Sequence, residues 1–154
     1  MAESFGQTGL GLCISAGFQR EIWKDRLRYN PGFSFGNYST QYFEDSRDMY
    51  FNTINIQNNL YLDLVRIKSV SLLAGTGLFI DYSAGLAGTG GDSDQPALFS
   101  EYKNDLFVGA YIASGFRYNN PNSRIAVELL PVNVLVGNKE FIEFNLRIGI
   151  DVKF

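Results

Sequence analysis

The sequence predicts an all-β chain folded as one antiparallel up-and-down β-barrel of about eight strands, seven of them clearly legible. Three observations carry that expectation. Apolar and polar residues alternate with period two along most of the chain, the pattern of a strand that turns successive side chains to opposite faces. The composition, with Gly 16, Tyr 9 and Phe 13, is that of strands rather than helices. Finally, the alternating segments are separated by turn-forming residues. The length of 154 residues suits a single domain over 1–154.

The elements follow in order. In segment 9–20, Leu10, Leu12, Ile14, Ala16 and Phe18 oppose Gly11, Cys13, Ser15, Gly17 and Gln19. Segment 26–38 sets Leu27, Tyr29, Pro31, Phe33 and Phe35 against Arg26, Arg28, Asn30, Gly32, Ser34 and Gly36. Segment 50–65 sets Ile54, Ile56, Leu60, Leu62 and Leu64 against Thr53, Asn55, Gln57, Asn59, Tyr61 and Asp63. Segment 70–83 is apolar on both faces near Leu72 and Leu73. Segment 105–118 alternates again, with Leu106, Val108, Ala110, Ile112, Phe116 and Tyr118 on one face. In 123–136 the phase flips at Leu129-Leu130, just before Pro131. A bulge accounts for this, since one extra residue resets the alternation and Pro donates nothing to a ladder. Segment 140–154 ends with Phe144, Leu146, Ile148, Ile150, Val152 and Phe154 on one face.

Turn chemistry assigns short links to Lys24-Asp25, Arg66–Ser69, Asn119–Asn122 and Gly137–Lys139. Longer connections are expected at Ser39–Met49 and at the Gly-rich, acidic Ala84–Asn104. Long loops alternating with tight turns are the habit of membrane barrels. No stretch reaches the ~20 apolar residues of a membrane helix. Nor does Met1–Gly9 carry the apolar run of a secretory signal, so an exported chain implies a leader already removed.

Chemistry is narrowed mainly by what the composition lacks. With no histidine and Cys13 as the single cysteine, imidazole metal sites, His-dependent nucleophiles and an internal disulfide are all excluded. A formal charge of −3 with no polybasic block argues against nucleic acid as a partner. Asp92 and Asp94 resemble the start of a calcium loop, but Lys103 stands where the bidentate Glu belongs. Gly85–Gly91 lacks the Lys-Ser/Thr of a phosphate loop. Glu128, Glu140 and Glu143 read as partners for Arg124 or Arg147 rather than as an acid/base pair. No catalytic residue, metal or cofactor is expected.

The polar face carries Arg26, Arg28, Arg117, Arg124 and Arg147 together with Asp63, Asp81, Glu128 and Asp151. Turned into a narrow barrel, these groups would have to pair. On a soluble surface Lys would be expected in place of this Arg bias. A soluble, lipocalin-like barrel for a small apolar ligand is the alternative, with Phe33, Phe35, Phe144 and Ile148 lining its interior. The aromatic residues Tyr29, Tyr38, Tyr42, Phe43, Tyr50, Phe51, Tyr82, Tyr102, Tyr118 and Phe141 fall near strand ends, as interfacial girdles or as core filling.

The last ten residues, NLRIGIDVKF, resemble the closing strand of small Gram-negative outer-membrane barrels, the OmpA/OmpX-like, porin-like group. That resemblance implies a bacterial outer-membrane location among lipid or detergent. It also implies that Ile148, Ile150, Val152 and Phe154 serve as the signal read by the barrel-assembly machinery. It further implies a non-enzymatic barrel with a side-chain-filled interior, acting in envelope integrity, adhesion or partner binding. An extracellular partner would meet loops 39–49 and 84–104. Lipid-modifying members of such barrels rely on a histidine that this chain lacks. One conflict follows, because bacterial barrels have even strand counts. Either a first strand is missing, or Met1–Thr8 supplies a short, incomplete one.

Overall fold

The computed structural model describes residues 1–4, 7–23, 26–39, 50–89, 99–120, 122–123 and 125–152. Among them there is no helix. Ten strands form one antiparallel sheet: β1 (Ala2–Ser4), β2 (Gln7–Gly17), β3 (Arg20–Trp23), β4 (Leu27–Ser39), β5 (Tyr50–Ile67), β6 (Val70–Thr89), β7 (Phe99–Asn119), β8 (Ile125–Gly137), β9 (Ile142–Phe144) and β10 (Arg147–Val152). β2 and β3 are one long strand broken at Phe18-Gln19, and β9 and β10 another broken at Asn145-Leu146. The framework is therefore seven long up-and-down strands.

The curled sheet closes at one end only. There β1 ladders with β2 (Ala2↔Gly9) and with β9 (Ala2↔Glu143), and β9 pairs with β8. We call this the upper end. β1 runs antiparallel to both neighbours and lies between them over a few rows. Below it, among the described residues, the β2 stretch Leu10–Gly17 ladders only with β4 and the whole of β10 only with β8. A seam separates these two edges.

Register follows the alternation. Along β4, Arg28, Asn30, Ser34, Gly36 and Tyr38 are buried while Phe33 and Phe35 are exposed. The face rich in polar residues is the inner one. The phase reset in β8 is a bulge: Ser114 pairs with Val132 but Phe116 with Leu129, so Leu130 and Pro131 together oppose Gly115. Ala126, Glu128 and Leu130 are buried before it, Asn133 and Leu135 after it. At the lower end Lys68-Ser69 joins β5 to β6, with Lys68 in the left-handed region at φ 54, as a two-residue hairpin demands.

One expected loop is shorter than its sequence suggested. Ala84–Thr89 and Phe99–Asn104 are strand, paired from Ala84↔Asn104 to Thr89↔Phe99. The small residues that read as a loop are there for close packing. A Cβ on Gly85 would lie 2.0 Å from the Tyr50 carbonyl oxygen, so glycine lets β6 approach β5. The acidic centre of that segment, with Asp92 and Asp94, lies outside the described residues, as does most of Ser39–Met49.

Candidate functional site

The interior is built in tiers of inward-facing side chains. In the lower tier Arg28 of β4 reaches across the lumen, donating from Nη1 to Glu128 Oε1 at 2.9 Å and from Nη2 to Asp63 Oδ1 at 2.8 Å. Arg117 Nε lies 3.3 Å from the same Glu128 oxygen. All four side chains are at most 5 % exposed. Among the described residues these two cations and two anions balance, which is how a buried charge cluster avoids an uncompensated ion.

The middle tier is a hydroxyl pair. Tyr61 and Tyr111 oxygens are 2.6 Å apart with the rings edge to face, so each polar tip has a partner within the apolar packing. Arg147 Nη1 approaches the Tyr61 hydroxyl at 3.5 Å, with no carboxylate within 4.0 Å among the described residues. The upper tier is aromatic. Phe107 and Phe79 pack on Phe141, with centroids 4.9 and 5.6 Å away, and Tyr38 stacks on Phe51 at 5.1 Å. Tyr38 donates to Glu143 Oε1 at 2.8 Å, and the Asn145 amide donates to the same oxygen.

The predicted interior network is therefore partly assembled. Arg28, Asp63, Arg117 and Glu128 meet. Arg26 does not: it is exposed in the β3–β4 turn, where its amide donates to the Trp23 carbonyl at 2.9 Å. The turn ends the alternation one residue before β4, which turns Arg26 away from the lumen. Asp81 is buried but joins a different group, accepting from Ser83 Oγ at 2.7 Å. It faces Asn55, whereas Tyr61, the β5 neighbour of Arg28, faces Gly75. Six positions along β6 therefore part Asp81 from the Arg28 row, about 20 Å of strand. Arg147 stands half-buried at the seam.

Arg124 and Phe154 lie outside the described residues. Asp151 and Val152 are described by backbone pairing alone, with Ala126 and Ile125. Ile148 and Ile150 face outward, 70 % and 71 % exposed. Glu128 and Glu143 share the interior but serve separate tiers. Of the strand-end aromatics, Tyr38, Phe51 and Phe141 fill the core, while Tyr50, Tyr82, Tyr102 and Tyr118 are exposed. Tyr42 and Phe43 lie outside the described residues.

The sequence reading missed the Tyr61–Tyr111 bridge and the buried amides Asn55, Asn59 and Asn133 as a lumen set. Strand parity carried that signal, since each shares a face with buried neighbours such as Asp63, Ala113 and Leu135. No family model, no curated protein and no solved structure matches this chain.

Proposed function

We propose that the chain is a non-enzymatic β-barrel of a bacterial outer membrane, packed inside and acting through the connections at its upper end. The carrying observation is the inversion of the two faces. Buried positions hold Arg28, Asp63, Asp81, Arg117, Glu128 and Glu143, while large apolar side chains on every long strand are exposed. Water offers no reason to solvate Leu78 at 68 % or Ile112 at 56 % exposure while ions are desolvated within. Lipid does.

The dimensions agree. On β7 the exposed apolar positions run from Leu106 to Phe116, about 34 Å of strand, or ~26 Å in height at a 40° tilt, matching the apolar band of such barrels. Exposed Tyr102 and Tyr118 lie beyond either end of that run, where interfacial aromatics belong. The soluble reading would require Phe33, Phe35, Phe144 and Ile148 inside, and these are 58 %, 47 %, 46 % and 70 % exposed.

At the upper end β6 and β7 outrun β8, whose last row is Gly109↔Gly137. Above the apolar band, Phe99–Asp105 projects with β6 as a hairpin, about 20 Å of strand. This hairpin and segment 39–49 are the surfaces we assign to an extracellular partner. Ile148 and Ile150, on the lipid side of the last strand with Val152 and Phe154 following, are the residues we assign to recognition by the assembly machinery.

Refolding from urea, with and without detergent micelles, tests the reading. Heated and unheated samples should migrate differently on an SDS gel, and the chain should aggregate when detergent is omitted. Clean refolding in buffer alone would reject the membrane assignment. Steady ion conductance in a planar bilayer would reject the packed interior.

A further inference from the structure

We propose that the outer face of β4, β5 and β6 is a contact surface between two copies of this chain, joined in the middle of the apolar band by the side-chain amides of Asn58. The inference rests on the membrane location proposed above, and its test separates the two.

The outward positions of β5 read Ile54, Ile56, Asn58, Leu60, Leu62 and Leu64, all exposed. Two apolar residues stand above Asn58 and three below it, so the amide sits near mid-height, away from either polar boundary. On β6 the same face reads Leu72, Ala74, Thr76, Leu78, Ile80 and Tyr82, with a hydroxyl in the corresponding place. The register sets the two polar residues side by side. Asn58 pairs with Leu78, two positions from Thr76, a diagonal of about 7–8 Å. From β4 the Tyr29 hydroxyl donates to Asn58 Oδ1 at 2.5 Å. Asn58 Nδ2 has no acceptor among the described residues. β4, β5 and β6 are laddered along both edges here, so this surface is complete in itself.

Two N–H donors are thus presented at a depth where acyl chains hold no acceptor, a costly exposure for an amide in hydrocarbon. Tyr29 takes one lone pair of Asn58 Oδ1 and leaves the second. The amide therefore lacks an acceptor for its nitrogen and a second donor for its oxygen. Another Asn58 supplies both.

Depth selects the second copy. Two copies inserted in the same orientation are related by an axis along the membrane normal, which carries each residue to its own height on the other copy. A twofold axis beside β5 brings Asn58 to Asn58, with the other copy's Thr76 hydroxyl as a neighbouring acceptor. The ester and headgroup acceptors of phospholipid lie at the boundaries instead.

The shape of the surface agrees. Asn58 and Thr76 are shorter than the leucines beside them and leave a hollow of about 420 Å³, bordered also by Tyr29, Leu60, Gly77 and Leu78. Exposed Ile56, Leu60 and Leu78 surround the amide with apolar groups, the arrangement that shields the polar centre of an interface.

The test uses the full chain refolded in micelles and in vesicles, with Cys13→Ser removing its exposed thiol. Sedimentation equilibrium in density-matched micelles reads the dimer, and the heat-dependent gel shift reads the barrel. The chain should form a reversible dimer. Asn58→Leu should weaken it about tenfold, the effect of one or two hydrogen bonds in lipid, while keeping the heat shift. Thr76→Val should weaken it less. In vesicles, a cysteine placed at Leu60 should be joined to that of a second copy by a short bismaleimide several-fold faster than one placed at Val132 on β8.

A heat-shifting barrel that stays monomeric at every protein-to-detergent ratio would overturn the contact and leave the location standing. A dimer unchanged by Asn58→Leu, or crosslinked equally well from Val132, would overturn it too. A chain that is monodisperse in plain buffer and shows no heat shift would reject the location, and the contact with it.

Discussion

Substituting Arg28→Met tests whether the lower tier holds the barrel together. The guanidinium is fully buried and makes two charge-assisted hydrogen bonds, at 2.9 Å to Glu128 and 2.8 Å to Asp63. Each such bond contributes about 1.5–3 kcal/mol, and removing one partner leaves the other desolvated. After the change Asp63 loses the Arg28 cation, and Glu128 keeps Arg117 at 3.3 Å. The expected destabilisation is about 3–5 kcal/mol, the range for breaking a buried ion pair. Adding Asp63→Asn removes the surplus anion and leaves Arg117–Glu128 as one balanced pair. The double variant should therefore be more stable than the single by about 1–3 kcal/mol, a coupling of the size expected within one network. Urea unfolding in micelles, followed by fluorescence of Trp23, the only tryptophan, measures both quantities. A single variant within about 0.5 kcal/mol of the parent would show that the ions are solvated rather than buried. A double variant no more stable than the single would refute the charge balance.

Three further outcomes are expected. Leu78→Arg, on the outer face at 68 % exposure, should cost about 2–4 kcal/mol if lipid surrounds it, whereas an exposed leucine on a soluble protein would tolerate the change. Refolding yield and unfolding midpoint in vesicles measure it. Gly115→Ala sets a Cβ 2.1 Å from the Leu129 carbonyl oxygen beside the bulge and should cost about 1–3 kcal/mol by overpacking, seen as an earlier urea midpoint. At the upper end, hydrogen bonding from Lys139 at 2.5 Å holds the Asp105 carboxyl below its ordinary range. A depressed acid stabilises above its unfolded pKa of about 3.9 and loses that contribution as pH falls through the lower folded value. Asp105→Asn should thus lower the unfolding midpoint slightly at pH 7 and leave it unchanged once both forms are protonated, with salt erasing the difference.

Much of this architecture was legible because outward-facing and inward-facing residues share one period. In β4, β5, β7 and the last strand the alternation fixed which residues travel together, and in β8 its interruption before Pro131 announced the bulge. Partner choice within the lumen was not legible. Arg28 and Glu128 are 100 residues apart in sequence and meet through barrel curvature and relative strand stagger, neither of which is encoded locally. Asp81 shows the same gap: the right parity put it inside, but its height along β6 left it with Ser83 rather than an arginine. Glycine misled in the opposite direction. In Ala84–Thr89 it permits strands to approach, yet its composition signal is that of a loop.

The plug and the seam have a common origin in side-chain size. β4, β5, β7 and β8 send Arg28, Tyr38, Tyr61, Tyr111, Arg117, Glu128 and Leu135 inward, and these pack the side of the lumen away from β2. β2 sends inward Gly11, Cys13, Ser15 and Gly17, all too short to reach the opposing tiers. Its lower half is therefore held chiefly by the β4 ladder and gains little from the core. Short residues on this wall leave cavities of about 450 and 320 Å³ between β2 and the packed tiers.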